Sequence, residues 1–519
     1  MSDFSWHCYI ASLAETRLFA QALALKLRAG DVVALRGDVG AGKTTFVGAI
    51  IRALAADSRL EVTSPSFPIM QTYVGQRFDI RHYDFYRIEG TDEALEVGFA
   101  DEMNDVVSFV EWPDNADIAI AHACMSIAID DSEASSDEAR LIRIQADGDA
   151  ALRMGRLQEF WNFFERWREQ QKTPVDDFSL SYLKGDASTR AYARILGGRK
   201  PLVLMDSPAM SDGPPVHDGR TYSAIAHLAE NIEPFVAIGA ELANHGISVP
   251  TVDYVDATTG FALIEDFGDD VFGTLIDTGT DLATLYRTAL EVLIHLRGVS
   301  VPETAKGLGC VHTFSEFDRE VLDAEVALTL QWYAPSALGS PLPANIVVDF
   351  YACWERLFAL VERNSHNWVL RDYHSPNLFW LEDRKGVRRV GVIDYQDAQL
   401  GHAAYDVVSL LQDARLDIPS SVEATLLSQY CVGVAAIDRE FDVDDFRCAY
   451  AVFGAQRCSK LLGIFKRLAE RDGKFEYLKH LPRISSYLAR NLMHPELRDI
   501  KAWYETHLPM ALDAEFELR

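Results

Sequence analysis

The chain has 519 residues, of which 48% are hydrophobic and 24% charged, so it is too long for one hydrophobic core and predicts a globular protein of several domains. Its formal net charge of -29 argues against direct binding of nucleic acid or of an anionic membrane, because both need clustered Lys and Arg. The 7 cysteines form no C-x-x-C pair, so we expect reduced thiols and no zinc framework. No basic leader or long apolar run is found, so we expect no membrane span and a cytoplasmic location.

The first elements of the chain predict a nucleotide-binding fold. Ser12 and Glu15 have the spacing of a capping box, and an apolar stripe follows them as far as Gly30. Residues 31–35 form a buried-strand pattern that runs into a glycine-rich turn, and residues 46–54 then have a helical pattern. A strand, such a turn and a helix in this order predict an α/β P-loop domain.

The turn reads GDVGAGKTT and is a complete Walker A motif. Its glycines let backbone N–H groups face phosphates, and the N-terminus of the next helix adds positive dipole. Lys43 is expected to reach the terminal phosphates, and Thr44 offers a ligand for Mg²⁺. The motif therefore predicts ATP with magnesium, and the expected nucleotide-binding residues are Gly37, Gly40, Gly42, Lys43, Thr44 and Thr45.

Further short motifs follow in order, namely SPSF at residues 64–67, HYDFYR at 82–87 and VEWP at 110–113. In this order after GDVGAGKTT they resemble the TsaE family, the small ATPase subunit of bacterial tRNA N6-threonylcarbamoyladenosine synthesis. The resemblance covers about residues 4–145 and includes a final predicted hairpin. It implies an ATP-dependent switch that acts with TsaB-like and TsaD-like partner proteins, with the contact to tRNA made through those partners.

The TsaE resemblance also implies roles for single residues. Asp84 and Glu111 would complete the magnesium and water-positioning set with Thr44, and Glu111 is the expected catalytic residue. Ser66 stands where the family's switch has a threonine, which keeps the hydroxyl group and loses a methyl group. Trp112 would lie near the nucleotide.

For three residues of the first domain the sequence leaves the role open. A packing role and a catalytic role are both compatible with His82, Tyr86 and Arg87.

The chain is expected to divide into domains at residues 1–150 and 151–519. The acidic stretch at residues 130–138 lies between two strand patterns and is typical of a hairpin tip, so the boundary is placed at residues 147–150. Residues 154–171 predict a helix with one broad aromatic face. Packing of this face within a core is favoured over binding of a partner, because most apolar stripes are buried.

The second domain opens with patterns for strands that a small polar turn connects. Backbone N–H groups of this turn would lie over a triphosphate, and the strand at residues 261–264 leads into a segment that could pair with adenine. The expected nucleotide-binding residues of this domain are Gly185, Ser188, Thr189, Arg190, Glu265 and Phe267.

Residues 369–406 carry the chemistry of the second domain. Asp372 and Asn377 lie in a loop after a strand pattern, and Asp394 follows the apolar run at residues 390–393. Phosphoryl transfer needs one carboxylate to orient the attacking hydroxyl group, with further oxygen ligands that hold magnesium against the nucleotide phosphates. The pattern therefore predicts a kinase, with Asp372 as the catalytic residue and Asn377 and Asp394 as the magnesium ligands.

Several motifs of this domain resemble the aminoglycoside-phosphotransferase-like kinases, and among them the amino-sugar kinases called AmgK. They are GDASTRAYARI, LVLMDSP, ALIEDFGDD, RDYHSPNLFW, VGVIDYQDAQLGHAAYD and AQRCSKLLGIFKRLAERDGK, within about residues 178–492. The resemblance implies an α+β bilobal protein-kinase-like fold. It also implies ATP-dependent phosphorylation of the anomeric hydroxyl group of N-acetylmuramate or N-acetylglucosamine in peptidoglycan recycling.

The sequence departs from general kinase patterns at two positions. Leu370 stands where a histidine often precedes Arg-Asp, and Met205 stands where a lysine would pair the phosphates. Another cation, Arg190 or Arg194, would then neutralise the phosphates. Asp406 is expected to brace the catalytic loop. Two alternatives stay open, namely a kinase of aminoglycosides or another small alcohol, and a sugar-binding regulator without turnover.

Overall fold

The computed structural model describes residues 3–101, 103–131, 138–172, 174, 177–183, 190–209, 219–362 and 366–516. The chain forms two compact units. The first comprises residues 1–208 together with 253–266, and the second comprises residues 209–252 together with 267–519. The domain boundary expected at residues 147–150 stays a prediction.

The first unit begins with a seven-stranded sheet and the helices around it. Its strands are β1 (Phe4–Ile10), β2 (Val32–Arg36), β3 (Met70–Tyr73), β4 (Asp79–Asp84), β5 (Val106–Glu111), β6 (Met125–Asp131) and β7 (Arg140–Ala146). Its helices are α1 (Leu13–Ala24), α2 (Lys43–Ala55), α3 (Thr91–Glu96), α4 (Asp117–His122) and α5 (Gly148–Gln171). The predicted strand, glycine-rich turn and helix are thus present as β2, residues 37–42 and α2.

The order of the strands brings the motifs of the first sheet together. The order is β1-β7-β6-β2-β5-β4-β3. The four adjacent strands β6, β2, β5 and β4 are parallel to one another. Asp84 and Glu111 are register partners at the carboxyl ends of β4 and β5. Both side chains therefore lie at the sheet edge where the P-loop leaves β2, which is the usual ligand-binding edge of such sheets.

Helix α5 connects this sheet to a second sheet within the same unit. The second sheet has the order β11-β12-β10-β9-β8. Its strands are β8 (Ser179–Leu183), β9 (Ala191–Leu196), β10 (Leu202–Asp206), β11 (Val252–Asp256) and β12 (Phe261–Glu265). Met205 lies on β10 and is 1% exposed, so the position where many kinases have a lysine is filled here by a core side chain.

The aromatic face of α5 is buried, as the sequence predicts. Trp161 packs edge-on against Phe19 of α1, with ring centroids 4.9 Å apart. Phe163 contacts Phe261 of β12 at 5.5 Å, and Phe164 contacts Phe178 at 5.6 Å. Apolar residues of both sheets and of α5 belong to one continuous core.

A buried ion cluster also joins the two sheets of this unit. Asp206, at the end of β10, pairs with Lys26, which follows α1, and with Arg156 of α5 at 2.6 Å. The guanidinium group of Arg156 also lies 3.7 Å from the ring centroid of Phe261. Because all three charged side chains are largely buried, the Asp206 carboxylate compensates two cations in a place with little solvent.

The second unit is mainly helical. Its helices are α6 (Tyr222–Ala226), α7 (Glu233–Asn244), α8 (Phe272–Asp277), α9 (Leu282–Arg297), α10 (Arg319–Leu328), α11 (Ala334–Leu338), α12 (Ala344–Val361), α13 (Ala404–Leu411), α14 (Ser420–Ile437), α15 (Val443–Asp472), α16 (Leu481–Asn491) and α17 (Arg498–His507). Its strands are β13 (Thr304–Gly307), β14 (Cys310–Thr313), β15 (Asn367–Val369), β16 (Leu378–Trp380), β17 (Val390–Val392) and β18 (Gln399–Gly401).

The long helix α15 is the centre of the second unit. It packs against α10, α13 and α16. Close approach to α10 requires a glycine, because a Cβ atom added at Gly463 would lie 2.3 Å from the backbone of Leu328. In the part of the chain that the structure describes, no helix has the length and apolarity that a membrane crossing requires.

The ion cluster in the first unit gives a stability prediction. Asp206→Asn keeps the shape of the side chain but removes the buried counter-charge of Lys26 and leaves Arg156 only its pair with the half-exposed Glu159. We expect this change to cost about 3 kcal/mol, which calorimetry should detect as a lower melting temperature of the first unit.

A matched control is Asp114→Asn, because Asp114 pairs with Arg36 through a carboxylate that is 59% exposed. Exposed pairs contribute at most about 1 kcal/mol, so this variant should melt close to the wild type. Equal melting temperatures of the two variants would contradict the prediction.

Candidate functional site

The P-loop needs its glycines for steric reasons. Gly37 has φ +139°, and a Cβ atom there would lie 2.4 Å from the carbonyl oxygen of Ile129. Gly42, the N-cap of α2, has φ +103°. Other residues rarely adopt these conformations, so the loop can lie close to the sheet only with glycine at both positions.

Lys43 lies folded onto the P-loop. Its ammonium group donates to the carbonyl oxygens of Gly37 at 2.8 Å and Asp38 at 2.9 Å, and it lies 3.9 Å from the ring centroid of Trp112. Burial lowers the pKa of the Lys43 amine. Lys43 and Trp112 both line the cleft described below.

Glu111 is held in place by two donors. Thr44 Oγ1 donates to Glu111 Oε1 at 2.8 Å, and the Nε2 atom of the buried His82 lies 2.9 Å from the same oxygen. His82 thus lies behind the carboxylate and orients it, which favours a positioning role over direct catalysis. The sequence left this role open, because β4 and β5 are far apart along the chain.

Asp84 is held in a similar way by side chains of the SPSF segment, residues 64–67. Both Ser64 and Ser66 donate to its Oδ2 atom, Ser66 at 2.7 Å, and the backbone N–H of Tyr86 donates to Oδ1 at 3.0 Å. The hydroxyl group that Ser66 shares with threonine therefore has a role, because it bonds Asp84. Ser64 has the same contact, which the sequence did not predict.

These residues line one cleft of about 450 Å³. The volume falls within the range of sites for small molecules and cofactors. The residues predicted for this site that line it are Gly40, Gly42, Lys43, Thr44, Thr45, Asp84 and Glu111. Carboxylate and hydroxyl oxygens are the donors that Mg²⁺ prefers, so the donor set fits a magnesium ion.

In the second unit, the loop that carries Asp372 is fixed by buried carboxylates. Asp406 accepts the backbone N–H groups of Leu370 at 2.6 Å and Arg371 at 3.0 Å, as expected for a bracing residue. Asp413, which the sequence did not identify, accepts the N–H group of Ser375 at 2.9 Å. These bonds hold Arg371 at φ +69°, a conformation that is unfavourable for a residue with a side chain.

A buried charge cluster lies next to this loop. Glu325 of α10 is fully buried and accepts hydrogen bonds from Arg371 at 2.7 Å, from Lys460 at 2.7 Å and from Gln456 at 2.8 Å. Burial by itself would raise the pKa of Glu325, but the Lys460 and Arg371 cations outweigh it and lower the pKa. One carboxylate is thus shared by two cations, and both of these cations also lower the pKa of Asp372.

The pKa of the Asp372 carboxyl group is lowered, and the group is available to a substrate. Burial would raise its pKa, but nearby cations, Lys460 first among them, lower it. Within the described part of the chain, its carboxylate accepts no hydrogen bond. A carboxylate in this state can accept a hydrogen bond from a substrate hydroxyl group and then its proton.

Asn377 and Asp394 lie together, as the sequence predicts. Strands β16 and β17 pair antiparallel, which brings the start of one strand beside the end of the other. The Asn377 amide group donates to Asp394 Oδ2 at 3.3 Å and to the carbonyl oxygen of Asp372 at 2.9 Å. Gln396, which no sequence signal identified, donates to Asp394 Oδ1 at 2.8 Å. The oxygens of Asn377 and Asp394 are suitable donors for Mg²⁺.

The remaining predicted nucleotide residues are distributed over both units. Arg190 is half-buried just before β9, and Glu265 ends β12 in the first unit. Phe267 belongs to the second unit and packs on Phe379, with centroids 5.8 Å apart. The other three, Gly185, Ser188 and Thr189, lie outside the described residues.

The bracing carboxylate gives a prediction for stability against pH. Burial raises the pKa of Asp406 to about 7, although two backbone donors oppose this shift. An aspartate in an unfolded chain has a pKa of about 3.9, so the folded chain holds this proton more tightly and loses stability as the pH rises from about 4 through about 7. Asn at this position has no proton to lose. We expect the melting temperature of Asp406→Asn, relative to the wild type, to increase between about pH 5 and pH 8.

Asp417→Asn is the control, because Asp417 lies at the surface in a pair with Arg483 that lowers its pKa. This variant should show no trend across the same pH range, since its carboxyl group is ionised in both states. A constant difference between Asp406→Asn and the wild type would contradict the prediction.

Comparison with known proteins identifies both parts of the chain. The model of the phosphotransferase enzyme family matches residues 179–441, and that of the threonylcarbamoyl adenosine biosynthesis protein TsaE matches residues 10–141. A tRNA threonylcarbamoyladenosine biosynthesis protein TsaE of Rickettsia conorii is 40% identical over 98 residues, which are 19% of this chain and 55% of that protein. The chain thus spans about half the length of this relative.

Relatives of the kinase part are matched over nearly their whole length. An N-acetylmuramate/N-acetylglucosamine kinase of Caulobacter vibrioides is 34% identical over 343 residues, which are 64% of this chain and 93% of that protein. A solved microcompartment-associated aminopropanol kinase is 17% identical, with a TM-score of 0.40 over 64% of this chain and 98% of that one, and it adds nothing to the assignment. The chain belongs to the phosphotransferase enzyme family and joins its kinase domain to an amino-terminal TsaE domain.

Proposed function

We propose that the carboxyl-terminal domain transfers the terminal phosphoryl group of ATP to the anomeric hydroxyl group of N-acetylmuramate or N-acetylglucosamine. The observation that carries this proposal is the Asp372 carboxylate, which accepts no hydrogen bond within the described residues and whose pKa is lowered by nearby cations. The likeness to the Caulobacter vibrioides kinase over 93% of its length supports the choice of acceptor.

Each site residue has a distinct part in this reaction. Asp372 orients the hydroxyl group and accepts its proton as the new bond to phosphorus forms and the bond to the leaving oxygen of ADP breaks. The side-chain nitrogen of Asn377 donates both of its hydrogen bonds within the site, which turns its oxygen to the role of ligand, and this oxygen and the Asp394 carboxylate would hold Mg²⁺. Magnesium would neutralise the phosphates and position them.

The cation that acts on the phosphates is not a lysine of β10. Arg190 and Arg194 are the candidates near the phosphate-binding turn. The guanidinium group of Arg194 pairs with Asp266 at 2.6 Å, so its charge is shared with a carboxylate.

For the amino-terminal domain we propose an ATPase switch in the synthesis of N6-threonylcarbamoyladenosine in tRNA. Lys43 and the P-loop N–H groups would bind the phosphates of ATP. Thr44, Asp84 and Glu111 would hold Mg²⁺ and position the attacking water. TsaB-like and TsaD-like proteins are the expected partners, since the acidic chain lacks the charge for binding tRNA itself.

The role of Asp372 is tested by Asp372→Asn in the full chain. The change keeps the shape of the side chain but removes the charge that accepts the proton. Turnover of N-acetylmuramate should fall roughly 10²- to 10⁴-fold, with little change in nucleotide affinity. Asp394→Asn should in addition weaken binding of the magnesium nucleotide, because a metal ligand also acts in the ground state.

Asp383→Asn is the matched control, since Asp383 is exposed in the connection between β16 and β17. It should retain full activity. The assay should include N-acetylglucosamine and aminoglycosides as acceptors. Unchanged turnover with Asn at position 372 would place the catalytic centre elsewhere and would remove the assignment of Asn377 and Asp394 as well.

The amino-terminal site is tested by Lys43→Ala. Loss of the ammonium group should reduce ATP hydrolysis in the presence of the partner proteins by roughly 10²-fold or more, because it removes a charge from the phosphates. The rate of the sugar kinase should stay the same. Arg59→Ala, an exposed change just after α2, serves as the control. Loss of both activities in folded Lys43→Ala protein would rule out independent sites.

A further inference from the structure

Arg457 on α15 is a buried cation that no described residue pairs with. It is 5% exposed and, within the residues that the structure describes, has neither a hydrogen bond nor an ion pair. The other buried cations of this helix are paired, Lys460 with Glu325 at 2.7 Å and Lys466 with Glu470 at 3.1 Å. Arginine is rarely buried unless it is paired, and no carboxylate among the described residues forms an ion pair with Arg457, so the position suits the anionic group of a ligand.

The position of Arg457 on its helix places it beside the catalytic loop. Its neighbour Gln456 and Lys460, one turn further on, both bond Glu325, which also holds Arg371, the residue before Asp372. One turn before Arg457, Phe453 packs on Tyr405, with centroids 6.0 Å apart. The face of α15 that carries Arg457 therefore adjoins the face that packs on the catalytic loop.

Electrostatics agree with this placement. Burial would raise the pKa of Asp372, and the surrounding cations lower it, Lys460 most strongly and Arg457 among them. The guanidinium group of Arg371 is already paired, because it donates to Glu325 and to the carbonyl oxygen of Ala226, each at 2.7 Å. Arg457 is the cation of this group that is left for a ligand, within the described residues.

The two sugars under the proposed function differ by one anionic group. N-acetylmuramate carries a lactyl ether on C3, with a carboxylate that N-acetylglucosamine lacks. The lactyl group that bears this carboxylate is attached to the same ring as the anomeric hydroxyl group that Asp372 would orient. A guanidinium group binds a carboxylate through two parallel hydrogen bonds, so Arg457 has the chemistry that this group needs.

We propose that Arg457 binds the lactyl carboxylate of N-acetylmuramate and thereby sets the preference of the kinase for this sugar over N-acetylglucosamine. The proposal rests on the sugar kinase function proposed above.

The test is Arg457→Gln in the full chain, with kcat/KM measured for both sugars. The value for N-acetylmuramate should fall roughly 10- to 100-fold, mainly through KM, because a hydrogen bond between charged groups is lost. The value for N-acetylglucosamine should stay within about threefold. Arg457→Lys keeps the charge without the planar fork and should fall between Gln and the wild type. Arg447→Gln, an exposed change on the same helix, should alter neither value.

The other outcomes overturn the proposal in recognisable ways. An equal loss for both sugars with a higher KM for ATP would assign Arg457 to the nucleotide. An equal loss of kcat with a lower melting temperature would assign it to support of the loop, and no change would assign it no role. If the wild type phosphorylates neither sugar, the proposed function itself fails. If it phosphorylates both and the variant leaves their ratio unchanged, only the role of Arg457 fails.

Discussion

The kinase site depends on one buried carboxylate, that of Glu325. It is shared by Arg371 and Lys460, so it ties the catalytic loop to α10 and α15 at once. Burial of the Glu325 carboxylate lowers the stability of the fold unless both Arg371 and Lys460 are present. Loss of any one of the three charges therefore destabilises the whole cluster. Burial alone would raise the pKa of Asp372, and the neighbouring cations, Lys460 first among them, lower it.

Both sites of the chain prepare their carboxylates in the same physical way. Glu111 is fixed by Thr44 and His82, and Asp394 is fixed by Asn377 and Gln396. Both donors of Glu111 bond its Oε1 atom, whereas Asn377 and Gln396 each bond a different oxygen of Asp394. Oriented acceptors of this kind need little reorganisation when the metal and the nucleotide arrive.

The first unit shows why the ATPase region and the small kinase sheet are not separate in structure. Helix α5 buries aromatic side chains against α1 on one side and against β12 on the other. Asp206 then adds a charged contact across the same region. The aromatic pattern predicted a buried face correctly, but a pattern of one helix cannot show that its partners come from two sheets.

The sequence by itself determined the parts whose contacts are local. The β2 strand, the glycine turn and α2 follow each other directly, and the hairpin that carries Asn377 and Asp394 spans few residues, so spacing and turn chemistry predict them. Only the tertiary structure decided the supports of these residues. Lys460 and Glu325 are 135 residues apart, and His82 and Glu111 are 29 apart on different strands. No periodicity in the sequence links such pairs, because their contact depends on how helices and strands pack. The role of a buried polar side chain can be assigned only when its hydrogen-bond partner is known.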